Sequence, residues 1–127
     1  MRLFPMPVDT RDLSPITLAF VGDGVYELMV REHLAAEANR PTGVLHKMAV
    51  SRVCAGAQAA AFSKIEPLLT EEEMAVFKRG RNAHTARGGQ DYHRATGFEA
   101  LWGWLYLNDR DDRLRELFAV ITAPDTP

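Results

Sequence analysis

The chain has 127 residues, 46% of them hydrophobic and 25% charged, with a formal net charge of -2. That length fills one domain with a real core. The single cysteine, Cys54, excludes an intramolecular disulfide and fits a reducing compartment. No run approaches the ~18–20 apolar residues of a membrane span. The start, with Arg2, Pro5 and Pro7, lacks the apolar core of a signal peptide, so a cytoplasmic, membrane-free protein is expected. A slightly negative total does not mark a nucleic-acid binder, and any such role must rest on where the charges lie.

In chain order, residues 1–12 read as extended, because Pro5 and Pro7 oppose helix. Ser14-Pro15 is an N-cap followed by proline at the first helical position. The helix it opens is expected to run to about Ala38, stopped by Asn39-Arg40-Pro41, with Thr42 capping the next. Residues 43–65 read as helical with a break near Ser51 or Gly56, and Pro67 ends them. Thr70-Glu71-Glu72-Glu73 is a capping box opening a helix to about Asn82. A loop follows at 85–90 with Gly88-Gly89, then a helix over 92–107, a turn at 108–112 and an amphipathic helix over 113–121. No alternating strand, repeat or low-complexity tract interrupts this pattern. The expectation is an all-α fold and one domain over 1–127, core about 12–121, with no second module.

Two stretches carry a chemical anomaly. In Leu18-Ala19-Phe20-Val21-Gly22-Asp23-Gly24-Val25-Tyr26-Glu27 a carboxylate sits inside an apolar run between two glycines. An unpaired charge in an apolar site is costly. Helical spacing puts Asp23 on one stripe with Ala19, Tyr26, Glu27 and Val30, and the stripe of Leu18, Val21, Val25 and Leu28 reads as core. Gly22 and Gly24 each cost a helix interior about 1 kcal/mol relative to alanine, so another helix or a ligand is expected close by. A bent helix with a capped Asp is the plainer alternative. The second stretch, residues 96–107, repeats the pattern around Glu99, whereas Glu71-Glu72-Glu73 and Asp109 to Asp112 sit in polar surroundings. Isolated carboxylates in separate apolar helices suit a hard-cation site, where oxygen ligands converge from different elements.

Lys78, Arg79, Arg81, Arg87 and Arg94 stand against Asp91 alone within residues 78–94, leaving the rest of the chain acidic. Alone, this is a solvated helix end whose cations complement the helix C-terminus. Beside the two acidic stretches it reads as a surface for phosphate backbone, with Asn82 included and Lys47 and Arg52 as extensions. His84 and His93 flank the loop without zinc-ligand spacing. Glu27 is placed to pair with Arg31 one turn on. Trp102, Trp104 and Tyr106 read as core and interface, and Cys54 as a small buried thiol.

Phe20-Val21-Gly22-Asp23-Gly24-Val25 resembles the signature of the ribonuclease III endonuclease domain. Glu99-Ala100-Leu101-Trp102-Gly103-Trp104-Leu105-Tyr106-Leu107 is similar to that domain's second acidic motif, with Phe77-Lys78-Arg79-Gly80-Arg81-Asn82-Ala83 between them. The match is nearest to the Mini-ribonuclease III subfamily, which lacks a double-stranded-RNA-binding domain, and spans about 12–121. The resemblance implies a Mg²⁺-dependent endoribonuclease acting on double-stranded RNA, with Asp23 and Glu99 as catalytic metal ligands. It further implies a homodimer with the Asp23 helix near the interface, maturation of both ends of the 23S ribosomal RNA precursor, and room for a ribosomal-protein helper. Lys78, Arg79, Arg81, Asn82 and Arg87 are the expected RNA contacts. The larger family has Glu where this chain has Ala19 and Asp where it has Thr96, which leaves a second metal position open. The rival reading is a non-catalytic RNA- or ribosome-binding dimer on the same fold.

Overall fold

The structure, a computed structural model, describes residues 2–4, 7–83 and 88–124. Among them every regular element is helical: α1 (Pro15–Glu37), α2 (Thr42–Val53), α3 (Ala55–Ile65), α4 (Glu71–Arg81), α5 (Gln90–Leu107) and α6 (Asp111–Thr122), with short 3₁₀ turns at Thr10–Asp12 and Glu66–Leu68. The boundaries follow local chemistry. The Ser14 hydroxyl accepts from the Thr17 N–H at 3.1 Å and Pro15 opens α1. Thr70 and Glu73 form the expected capping box on α4. The break between α2 and α3 falls at Cys54, between the two expected places, where extended backbone (φ -66°, ψ 160°) separates the helices. Cys54 is exposed rather than buried, because that bend lies on the surface. Thr42 is the first residue of α2, and Pro41 holds the cap position.

α5 is the central helix. Phe98, Leu101, Trp102 and Leu105 are fully buried, and α1, α3 and α4 all pack on it. Two glycine crossings set its neighbours. A Cβ on Gly22 would lie 1.7 Å from the Glu99 carbonyl oxygen, and one on Gly103 would lie 2.0 Å from the Leu18 carbonyl oxygen. α1 and α5 therefore touch backbone to backbone. Gly80 of α4 and Gly97 of α5 form the second crossing, where a Cβ on Gly80 would meet the Gly97 Cα at 2.9 Å. Next to the first crossing Tyr26 packs edge-on against Phe98 and Trp102, with centroids 4.9 and 5.3 Å away. The Trp102 indole N–H donates to the Met29 sulfur at 3.2 Å.

This packing corrects two expectations. The inward face of α1 is Leu18, Ala19, Gly22, Tyr26, Val30 and Leu34, whereas Val21 and Val25 are half-buried and Leu28 is exposed. Gly22 and the Leu18 backbone opposite Gly103 let α1 come close to α5 on this face, and that choice of contact turns the other apolar stripe outward. Glu73 is not solvated: it is 2% exposed, held by the Arg113 guanidinium at 2.8 Å on both carboxylate oxygens. Burial alone would raise its pKa, but the hydrogen bonds from Arg113 and the Thr70 N–H outweigh that and hold the carboxyl below the usual range.

Candidate active site

Gly22 brings α1 onto α5 beside Glu99, and the next residue, Asp23, stands at the solvent-facing rim of that contact. The Asp23 and Glu99 carboxyl groups meet within hydrogen-bonding reach. Glu99 is half-buried, and the Gln58 amide of α3 donates to its Oε2 at 3.4 Å. Burial first, and then the hydrogen bond and negative charge of Asp23, push Glu99 up to about 8, against a small opposing effect of Gln58. Without a cation this pair holds a proton at neutral pH. Such a pair is short of positive charge, and its all-oxygen donor set fits a hard divalent cation.

The two positions without a carboxylate do not add ligands. Ala19 is buried against the core. The Thr96 hydroxyl is buried and donates to the Tyr92 carbonyl oxygen at 3.0 Å, so it satisfies its own helix instead of facing the pair. Glu27 pairs with Arg31 at 2.9 Å, as its spacing indicated. Among the described residues no third histidine, cysteine or acidic side chain joins Asp23 and Glu99. Gln58 escaped sequence reading because it sits in the small-residue run 55–61, where nothing marks it as polar core.

The raised pKa of Glu99 has a consequence for stability. Between its ordinary value, near 4.5, and about 8, the folded protein binds more protons than the unfolded chain. Stability of the cation-free protein therefore falls as pH rises through that window. Glu99→Gln removes the effect, so in chelator its melting temperature exceeds wild type by a margin that widens from pH 5 to pH 8. Parallel melting curves at all pH values would show that Glu99 is not perturbed by burial and Asp23.

The basic cluster lies at the C-terminal end of α4, which the Gly80–Gly97 crossing fixes against α5 two residues before Glu99. Lys78 and Arg79 are exposed. Arg81 lies over the Phe77 ring, 5.6 Å from its centroid, and donates to the Asn82 side-chain oxygen at 3.2 Å. Arg94 lies over Phe62 in the same way and donates to Ser63 at 3.2 Å. Phe62 and Phe77 stack at 3.7 Å, so both arginines flank one aromatic pair. A polar cleft of about 530 Å³ opens there, lined by Arg81, Asn82, Gln90, His93 and Arg94. Arg87 and His84 lie outside the described residues. Arg52 lines a separate groove with Tyr26, His33 and Glu37 and does not extend the cluster.

Residues 16–110 match the model of the ribonuclease III domain family. The chain is 46% identical over 110 residues to a Mini-ribonuclease 3 of Thermoanaerobacter sp. (strain X514), covering 83% of this chain and 78% of that protein. It is 42% identical over 116 residues to the Mini-ribonuclease 3 of Enterococcus faecalis, covering 86% and 88%. A crystal structure of a Fusobacterium nucleatum protein superposes with a TM-score of 0.80 at 29% identity, covering 89% of this chain and 94% of that one. The chain belongs to the ribonuclease III domain family, among the Mini-ribonuclease 3 proteins.

Proposed function

We propose that this protein is a Mg²⁺-dependent endoribonuclease that hydrolyses double-stranded RNA, with the 23S ribosomal RNA precursor as its substrate. The observation that carries the reading is the convergence of Asp23 and Glu99 from separate helices, which the contact of Gly22 with the Glu99 backbone brings together. A pure binding module has no use for a half-buried acid at that cost. When bound there, Mg²⁺ supplies charge stabilisation at the scissile phosphate and activates the attacking water.

The chain's own residues do the rest. Asp23, exposed at the rim, and the half-buried Glu99 would hold the cation between them. Glu99, whose pKa is raised to about 8 by burial and Asp23, would have to give up its proton to act as an anionic ligand. Ala19 and Thr96 offer no carboxylate, so a cation held by Asp23 and Glu99 would have few fixed anionic ligands and would draw others from substrate phosphate and water. Lys78, Arg79, Arg81, Asn82 and Arg87 hold the duplex by its backbone. A-form RNA presents shape and 2′-hydroxyls, so selection follows helix geometry. Among the described residues no helix is long and apolar enough to cross a membrane, in keeping with a cytoplasmic site of action.

Cutting both strands calls for two sites related by a two-fold axis. The outward stripe of α1 supports a homodimer: Phe20 is 80% exposed, and Val21, Gly24, Val25 and Leu28 line an apolar groove of about 750 Å³. Phe20→Glu is expected to give a monomer by analytical ultracentrifugation with the helical content kept; an unchanged dimer would place the interface elsewhere. Replacing Lys78, Arg79 and Arg81 together by alanine is expected to weaken duplex binding and flatten its log–log salt dependence by up to about 2–3, since each phosphate contact contributes ~0.9 or less. An unchanged slope would mean that the RNA lies elsewhere. The function itself is tested with a duplex and its separated strands, each in Mg²⁺ and in chelator. Cleavage is expected for the duplex in Mg²⁺ alone; duplex bound but intact in every arm would favour the non-catalytic dimer.

A further inference from the structure

Among the described residues three polar side chains are buried: Glu73, Thr96 and Gln58. Arg113 accounts for Glu73, and the Tyr92 carbonyl for Thr96. Gln58 is 1% exposed, on a face of α3 whose other buried members are Ala59, Ala61, Phe62 and Ile65. An amide buried among such residues costs free energy unless it is hydrogen-bonded, and a leucine would fill the same volume without that cost. Its bond is to Oε2 of Glu99, the carboxyl group that also neighbours Asp23.

We propose that Gln58 is a positioning residue for catalysis, which holds the Glu99 carboxylate by one oxygen and so fixes its plane relative to Asp23 and the cation. The inference rests on the reading of Asp23 and Glu99 as cation ligands. Three helices then build the site: α1 brings Asp23, α5 brings Glu99, and α3 sets the direction in which Glu99 presents its oxygens. A glutamate side chain has rotatable bonds that packing alone does not fix at its terminal group. Groups hydrogen-bonded to a ligating carboxylate remove that freedom, and losing such a partner typically costs about 10–100-fold in metal affinity or activity. At 3.4 Å the bond is longer than the usual range of about 2.7–3.2 Å, as is common for catalytic contacts before substrate arrives. This chain has the more need of such a device because only two carboxylates serve the cation.

The test is Gln58→Leu, which keeps the volume and removes the donor, with Gln58→Asn, one methylene short, as the second variant. Free Mn²⁺ is followed by electron paramagnetic resonance, and the Mg²⁺ dependence of duplex cleavage is measured alongside. Both variants are expected to bind Mn²⁺ about 10-fold more weakly or worse, and to need correspondingly more Mg²⁺ for half-maximal cleavage. The melting temperature of Gln58→Leu should match or exceed wild type. In a Glu99→Gln background, Gln58→Leu should cost no further Mn²⁺ affinity. A lower melting temperature with wild-type cation dependence would reduce Gln58 to a packing residue and overturn the proposal. So would an equal additional loss in the Glu99→Gln background. If Glu99→Gln alone binds Mn²⁺ like wild type, the cation reading of the pair falls, and this inference with it.

Discussion

Gly103→Ala is expected to lower the melting temperature by about 10 °C and to slow duplex cleavage by about 100-fold at temperatures where the variant is still folded. The added Cβ would sit 2.0 Å from the Leu18 carbonyl oxygen and 2.9 Å from the Gly22 nitrogen. Both obstacles are backbone, so no side chain can swing away and the two helices must separate. Overpacking of this kind costs about 1–3 kcal/mol, and a backbone clash belongs at the upper end. For a domain of this size each kcal/mol is worth about 4 °C. The same separation draws Asp23 away from Glu99, and a misplacement of about 1 Å at a reacting centre can cost 10²-fold. Gly43→Ala in α2 is the control: nothing lies within 4 Å of its Cβ, so the helix gains up to about 1 kcal/mol in propensity. Differential scanning calorimetry with a cleavage assay separates the two variants. A Gly103→Ala protein that melts and cleaves like wild type would show that the α1–α5 contact is looser than described.

Much of this site was legible before folding because a carboxylate in an apolar run is chemically conspicuous. Asp23 and Glu99 stand out in that way, and Gly22 correctly announces a close neighbour. Gly24 announces nothing of the kind, since it faces open space beside the outward stripe. The buried face of α1 differs from the one its spacing predicts, for a physical reason. The helix carries two apolar stripes, Leu18–Tyr26–Val30 and Phe20–Val21–Leu28, and periodicity alone does not tell which one meets the rest of the same chain. The small residues Ala19 and Gly22 decide it, by letting α5 approach. Glu73 looked solvated among its acidic neighbours because its partner, Arg113, lies 40 positions away. Gln58 was invisible for a similar reason: its significance depends wholly on Glu99, 41 positions on. Local capping chemistry needs no such partner, and the helix starts at Ser14 and Thr70 were readable directly.

Asp23→Asn keeps the side-chain volume and replaces one of the two carboxyl groups of the proposed cation site by a neutral amide. The loss in cleavage rate is expected to exceed about 100-fold, beyond the range that changes to outer-shell partners cost. The fold should survive, because Asp23 is exposed at the rim and its neutralisation relieves the repulsion felt by Glu99. Duplex binding should also survive, since the basic cluster on α4 is untouched and one negative charge near the phosphates is gone. A defect confined to the chemical step is therefore the outcome that separates a catalytic ligand from a structural acid. The deciding measurement is single-turnover cleavage of a labelled RNA duplex in saturating Mg²⁺, wild type beside Asp23→Asn, with the duplex bound by both. The expected result is cleavage by wild type and intact, bound duplex with the variant; cleavage by Asp23→Asn at near wild-type rate would contradict a cation site built on Asp23 and Glu99.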